Sequence, residues 1–158
     1  RVGWVSFSGI LNQSKDYLLA LDLLAGLRLC SNVPGQWAVQ TALGGHQSVR
    51  QLCAPGGRLY ESRQAVAEGV ERSAFLHFNK PRGAMYAFIG VDSNIVKGFD
   101  DEKFALELLE GEHVLIAPGS SFNTAYRDHF RITTLPDVET LKEVFRRMER
   151  VLEKMAGD

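Results

Sequence analysis

The stretch His129-Phe130-Arg131-Ile132-Thr133-Thr134, followed by Leu135-Pro136-Asp137 and then by apolar residues at Val138, Leu141, Val144, Phe145, Met148, Val151, Leu152 and Met155, decides the fold class. The first six residues are rich in β-branched and aromatic side chains, which predicts a strand. Pro136 and Asp137 end it and open a helix, with Asp137 as the expected N-cap. The apolar residues beyond recur at spacings of three and four, the pattern of an amphipathic helix with one buried stripe. Strand and helix follow each other within a few residues, so sheet and helix share one core.

Upstream of this junction the same texture repeats. Phe75-Leu76-His77-Phe78 predicts a short strand, Lys80-Pro81-Arg82-Gly83 a turn, and Ala84 to Val91 a second strand. Asp100 or Asp101 caps a helix expected to run through Glu110, with Gly111 just past its end. His113 to Ala117 reads as a third strand, ended by Pro118-Gly119, which makes His129 to Thr134 the fourth. A helix from Arg58 to Arg72, with Leu59, Val66 and Val70 on one side, precedes them all. The reading is an α+β unit of short strands covered by helices.

The first fifty residues differ. Residues 1–9 predict a short strand ended by Gly9, with no sheet partner nearby. Ser14 is the expected cap of a helix to Cys30, whose leucines and Tyr17 cover nearly its whole circumference. A helix apolar all round is buried on most sides; cut from its context it would favour association. Ser31 to Gly35 breaks the chain, Gln36 to Leu43 predicts a short helix ended by Gly44-Gly45, and Ala54 to Gly57 is a second break. The expected division is residues 1–50, the end of a larger domain with its linker helices, and residues 51–158, a small C-terminal α+β domain. An opening on a strand-like run, without an initiator methionine, reads as a piece of a longer protein.

Bulk properties narrow the function classes. The chain has 158 residues, 45% hydrophobic and 23% charged, with formal net charge −1. Charges of both signs are interspersed, so neither nucleic acid nor an anionic membrane is an expected partner. The most apolar run, Tyr17 to Leu29, is interrupted by Asp22 and Arg28 and falls short of the ~20 residues that span a bilayer. Cys30 and Cys53 have neither metal-ligand nor disulfide spacing and read as small apolar residues in a reducing compartment.

Arg131 is the leading candidate for chemistry. Alternation sends Phe130 and Ile132 to the core and Arg131 to the other face. A guanidinium on a rigid strand presents two parallel N–H donors that match a carboxylate. The same pattern also fits an exposed arginine, or one paired with a local acid. Arg1 precedes the strand-like run and could reach a bound phosphate; it also fits an exposed arginine. His129 shares the outward face with Arg131. The four histidines have no metal-ligand spacing, and no metal is expected. Lys15, Lys80, Lys97, Lys103, Lys142 and Lys154 all lie in polar settings, none in the apolar one that would activate a lysine. The Gly44-Gly45 and Gly56-Gly57 pairs lack the setting of a phosphate loop.

Several motifs carry a family resemblance. Arg1-Val2-Gly3-Trp4 resembles the segment that follows the cofactor lysine in fold-type-I aminotransferases, which use pyridoxal 5′-phosphate (PLP). Arg28-Leu29-Cys30-Ser31-Asn32-Val33-Pro34, with Gln36 and Gln40-Thr41-Ala42-Leu43-Gly44-Gly45, is similar to the bacterial alanine-synthesising branch. So is Pro55-Gly56-Gly57-Arg58-Leu59-Tyr60-Glu61. Lys80-Pro81-Arg82-Gly83-Ala84-Met85-Tyr86, Pro118-Gly119-Ser120-Ser121-Phe122 and His129 to Pro136 resemble further family motifs. The resemblance covers essentially the whole chain, in order. Asn123, where many relatives have glycine, departs from the wider family and suits the alanine branch.

The resemblance implies that Arg131 grips the substrate α-carboxylate, that Arg1 contacts the cofactor phosphate, and that the catalytic lysine lies upstream of Arg1, leaving no catalytic residue in this chain. It implies a cytoplasmic homodimeric parent that transfers an amino group between an amino acid, alanine, and a 2-oxo acid, 2-oxoglutarate. The fragment alone is expected to bind no PLP and to be inactive. Two readings from other classes stand beside this one: an aminotransferase-like sensor domain of a transcription regulator, and a stand-alone carboxylate-binding module. A lyase, or an aminotransferase for another amino acid, is the rival within PLP chemistry.

Overall fold

The computed structural model describes residues 2–9 and 11–157, Leu11 by its backbone alone. The chain divides into two compact units, Arg1–Ser48 and Val49–Asp158.

In the first unit a 3-10 turn, Leu11–Ser14, leads into α1, Lys15–Arg28, and α2 follows at Val33–Gly44. Ser14 stands at the N-cap of α1 but its side chain makes no capping bond. Asn32 does cap α2: its Oδ1 accepts from the Gly35 backbone N–H at 2.7 Å. With Pro34 in the first turn, this starts α2 earlier than the expected Gln36. The strand expected over residues 1–9 is not formed across residues 2–9. Extended backbone becomes a strand only when a neighbour takes its N–H and C=O groups. No residue of α1 or α2 is buried within the chain. Leu27, Leu29 and Trp37 are each more than 80% exposed. Cys30, in this unit, and Cys53, in the second, are exposed free thiols rather than packed apolar residues.

The second unit carries the core. A short helix, α3 (Ser48–Cys53), has no counterpart in the sequence expectations; α4 spans Arg58–Arg72 as expected. The strands are β1 (Leu76–Phe78), β2 (Tyr86–Val91), β3 (Ala117–Pro118) and β4 (His129–Thr133), with α5 (Asp101–Glu112) between β2 and β3 and α6 (Val138–Gly157) after β4. They form one antiparallel sheet in the order β1-β2-β4-β3.

Register determines the two faces. Ala87 opposes Ile132, Ile89 opposes Phe130, and Leu76 opposes Val91. All six are buried, and they share a core cluster with Val66 and Val70 of α4, Phe104 and Leu108 of α5, and Leu141, Phe145, Met148 and Leu152 of α6. The helices therefore cover one face of the sheet, as an amphipathic stripe on each demands.

The boundaries on either side of His113 depart from expectation for a shared reason. Gly111 does not close α5; His113, in the left-handed region at φ 55°, does so. The His113 and Val114 N–H groups turn back onto the carbonyls of Leu109 and Leu108, a closure that needs one left-handed residue wherever the core requires the turn. Arg147 of α6 also donates to the Glu112 carbonyl at 2.7 Å, which holds that last turn. The expected strand over His113 to Ala117 shrinks to Ala117–Pro118. Its first residues are taken by the helix closure, and Val114 and Ile116 are buried by core packing rather than by pairing.

Candidate functional site

The opposite face of the sheet carries the other half of the alternation. Phe88 opposes Arg131, Gly90 opposes His129, Tyr86 opposes Thr133, and Ala117 flanks Arg131 from β3. Arg131 is thus placed where the period of two puts it, between the buried Phe130 and Ile132 but pointing away from them.

Its surroundings are aromatic. The Arg131 guanidinium carbon lies 4.4 Å from the ring centre of Tyr86 and 4.4 Å from that of Phe122. Phe122 sits in a 3-10 turn, Gly119–Phe122, closed by Asn123 at φ 52°. The buried Asp101 of α5 anchors this turn: its Oδ2 accepts from the Ser120 N–H at 2.7 Å. Asp100, one residue earlier, is the true N-cap of α5 and accepts from the Lys103 N–H at 2.7 Å. The adjacent acids thus do different work, one capping the helix and one reaching out to the loop that carries Phe122.

Beside Arg131 lies a histidine cluster. His129 stacks on Phe88 at 5.0 Å, packs against Tyr126 at 4.7 Å and meets His77 edge-on. Its Nδ1 lies 2.7 Å from the Asp128 carboxylate. His129 is thereby committed to packing and to a local partner.

Arg131 differs in this respect. Among the described residues it enters no ion pair, which is equally true of Arg28, Arg50, Arg58, Arg63, Arg82 and Arg127, but it alone lies over two aromatic rings. A guanidinium keeps its charge at any physiological pH and directs its N–H donors in plane from a fixed fork. With rings over it and no ion-pair partner among the described residues, those donors suit an external planar anion, and a carboxylate matches the fork.

Lysines decide how far the site extends towards a cofactor. All six are exposed, and Lys80, Lys103, Lys142 and Lys154 are paired with glutamates. None has the desolvated setting that frees an amine for Schiff-base formation. Arg1, the expected phosphate contact, lies outside the described residues. The described residues therefore do not by themselves fit PLP, and no reaction step is assigned through it. Tyr86, Phe122 and Asp101 were not singled out from sequence as site residues. Tyr86 and Phe122 stand inside quoted motifs, but only the β2–β4 register and the Asp101–Ser120 bond bring them to Arg131.

The antiparallel sheet is thus covered by helices on one face and carries Arg131 among aromatic rings on the other. The chain belongs to the aminotransferase class I and II family, whose model matches residues 1–148. It is 42% identical over 152 residues to the glutamate-pyruvate aminotransferase AlaA of Escherichia coli K12, covering 96% of this chain and 38% of that protein. It is 39% identical over 152 residues to an alanine aminotransferase of Mycobacterium tuberculosis, covering 96% of this chain and 35% of that one. The fold matches the crystal structure of an Escherichia coli aminotransferase with a TM-score of 0.84 at 42% identity, over 92% of this chain and 36% of that one. It also matches the alanine aminotransferase of Pyrococcus furiosus, with a TM-score of 0.72 at 28% identity, over 93% of this chain and 36% of that one. The chain thus spans a little over a third of the length of these relatives.

Proposed function

We propose that this chain is the C-terminal, substrate-carboxylate-binding part of a PLP-dependent alanine aminotransferase, and that Arg131 is its carboxylate clamp. The observation that carries the reading is the state of Arg131, held on a central strand beneath two aromatic rings and without an acidic partner among the described residues. Both the amino-acid and the 2-oxo-acid partner of a transamination carry a carboxylate next to the reacting carbon. A single fixed guanidinium can therefore serve both half-reactions. Holding that carboxylate in two-pronged fashion fixes the orientation of the neighbouring carbon, which is how a positioning contact lowers a barrier.

Alanine and 2-oxoglutarate are the proposed partners, on the names of the similar bacterial enzymes. We assign Arg1 to the phosphate of PLP, residues 1–50 to the end of the larger domain and its linker helices, and the full enzyme to a cytoplasmic homodimer. Among the described residues no single helix is long and apolar enough to cross a membrane.

The test is Arg131→Lys in the full-length enzyme that contains this chain. The substitution keeps the charge and removes the fork. A charge-assisted bond contributes about 1.5–3 kcal/mol, so kcat/KM falls at least ~10-fold with KM raised. A wild-type kcat/KM would overturn the assignment. For the 158-residue chain alone, added PLP forms no borohydride-trapped adduct on any one lysine. An adduct traced to a single lysine would contradict the placement of the catalytic amine outside this chain.

A further inference from the structure

We infer that Tyr86 and Phe122 are positioning residues for the carboxylate site: they hold the Arg131 guanidinium, and the ring of each, rather than its bulk alone, sets substrate affinity. The inference rests on the reading of Arg131 as the clamp and adds how the clamp is kept in place.

An arginine side chain has four torsions, and on an open sheet face it sweeps a wide arc. Here it is flanked from both sides of its strand. Tyr86 comes from β2, on one flank of β4, and Phe122 from the turn that leaves β3, on the other. Each ring centre lies 4.4 Å from the guanidinium carbon, well inside the ~6 Å over which a cation is drawn to an aromatic face.

The backbone of Tyr86 is set by strand pairing, and the Phe122 ring by a neighbouring ring and an anchored turn. Tyr86 is registered against Thr133. Phe122 packs edge-on against Phe88 at 6.2 Å, on a turn anchored by the Asp101–Ser120 bond of 2.7 Å. A sheet face that only needed shielding could use any apolar residue at these positions. Aromatic faces add attraction for the cation and leave its in-plane donors free, which suits a group that binds a ligand with its edge. The arrangement also separates two demands that conflict in a lysine: a compact, strongly hydrated ammonium gains less from lying flat against a ring and cannot grip both carboxylate oxygens from a planar fork.

Phe122 is 37% exposed and Tyr86 46% exposed, so their replacement leaves the core intact. In the full-length enzyme, Phe122→Leu and Tyr86→Leu are each expected to raise KM for the amino acid about fivefold, the factor that loss of one exposed to half-buried cation–π contact implies. Phe122→Tyr and Tyr86→Phe retain a ring and are expected to retain KM; Tyr86→Phe also separates the ring from the hydroxyl. An independent readout comes from the 158-residue chain: the Arg131 Nε–H proton resonance should be shifted upfield by the two rings and move downfield in Phe122→Leu.

The outcomes separate cleanly. If Arg131→Lys raises KM but both leucine variants leave it unchanged, the rings are not positioning residues and the inference falls while the clamp stands. If the leucine variants raise KM and the ring-retaining ones do so equally, bulk or shape rather than the ring matters, and the inference again falls. If Arg131→Lys itself has no effect, the clamp and this inference fall together. An Arg131 resonance at the position of a solvated arginine, unmoved by Phe122→Leu, would overturn the inference without reference to catalysis.

Discussion

His77 and His129 meet edge to face above Gly90, with ring centres 5.6 Å apart and planes at 79°. The contact exists because residue 90 has no side chain: a Cβ there would lie 2.5 Å from His77 Cε1 and 2.9 Å from His129 Nε2. Gly90→Ala must therefore push both rings aside. His77 is exposed and can turn away while the less exposed His129 yields less, so the cost is expected at the low end of overpacking, about 1 kcal/mol, read as a lowered denaturant midpoint with the same slope. A variant as stable as wild type would show that the imidazoles yield freely.

Gly69 plays the corresponding part between helices. A Cβ on it would come within 2.5 Å of the Phe145 ring, where α4 and α6 pack. Alanine is the better helix former by about 1 kcal/mol, so the sign of Gly69→Ala depends on which effect wins. An aromatic ring in the core cluster yields less readily than an exposed side-chain tip, and the net result is expected to be destabilising by ~1–2 kcal/mol. Phe145→Leu combined with Gly69→Ala should recover part of that loss in a double-mutant cycle.

Asp101 gives a test of remote support. Its carboxylate is buried and accepts the Ser120 N–H. Asp101→Ala leaves that donor without its partner, at a cost of about 1–3 kcal/mol, and loosens the turn that carries Phe122. The expected signature in the full-length enzyme is a lower Tm together with a raised KM. Asp101→Asn, which keeps an acceptor oxygen, should show less of both. A fall in Tm with KM untouched would mean that the turn keeps its shape without its anchor.

Acid should weaken the helical layer in a defined direction. Glu112 is held below the usual carboxylate range chiefly by its hydrogen bond from Arg150, Asp137 by the Thr140 N–H and hydroxyl at the start of α6, and Glu143 by Arg147. A carboxylate whose folded pKa is depressed contributes stability that is fully present above its unfolded pKa and is lost as pH falls through the folded value. Tm should thus be flat from neutral pH down to the ordinary carboxylate range and decline below it. Asp137→Ala should lower the neutral-pH Tm by a few degrees and flatten part of that decline. An acid limb as steep as in wild type would remove Asp137 from the account.

Much of the second unit was legible because its signals are local. Asp137 and the spacing from Val138 to Met155 locate α6, and the alternation around Arg131 assigns its face before any partner strand is known. What was not legible depended on distant partners. Val2 to Gly9 has strand-like residues but forms no strand. His113 takes a left-handed conformation that glycine usually supplies, because the last turn of α5 is fixed by Val114 in the core and by Arg147 on α6. Tyr86 and Phe122 reach Arg131 only through a register and a loop anchor, and neither leaves a spacing in the chain. Asp100 and Asp101 were indistinguishable as caps, since only the position of Ser120 tells them apart.

The place of α6 has a consequence for how the protein is made. Leu141, Phe145, Met148 and Leu152 belong to the same core cluster as the inner face of the sheet, yet all are encoded after the last strand. While they remain inside the ribosome, Ile89, Phe130 and Ile132 have only part of their cover. The second unit therefore reaches its native packing only once α6 has emerged, and until then the sheet keeps apolar surface that chaperones can bind.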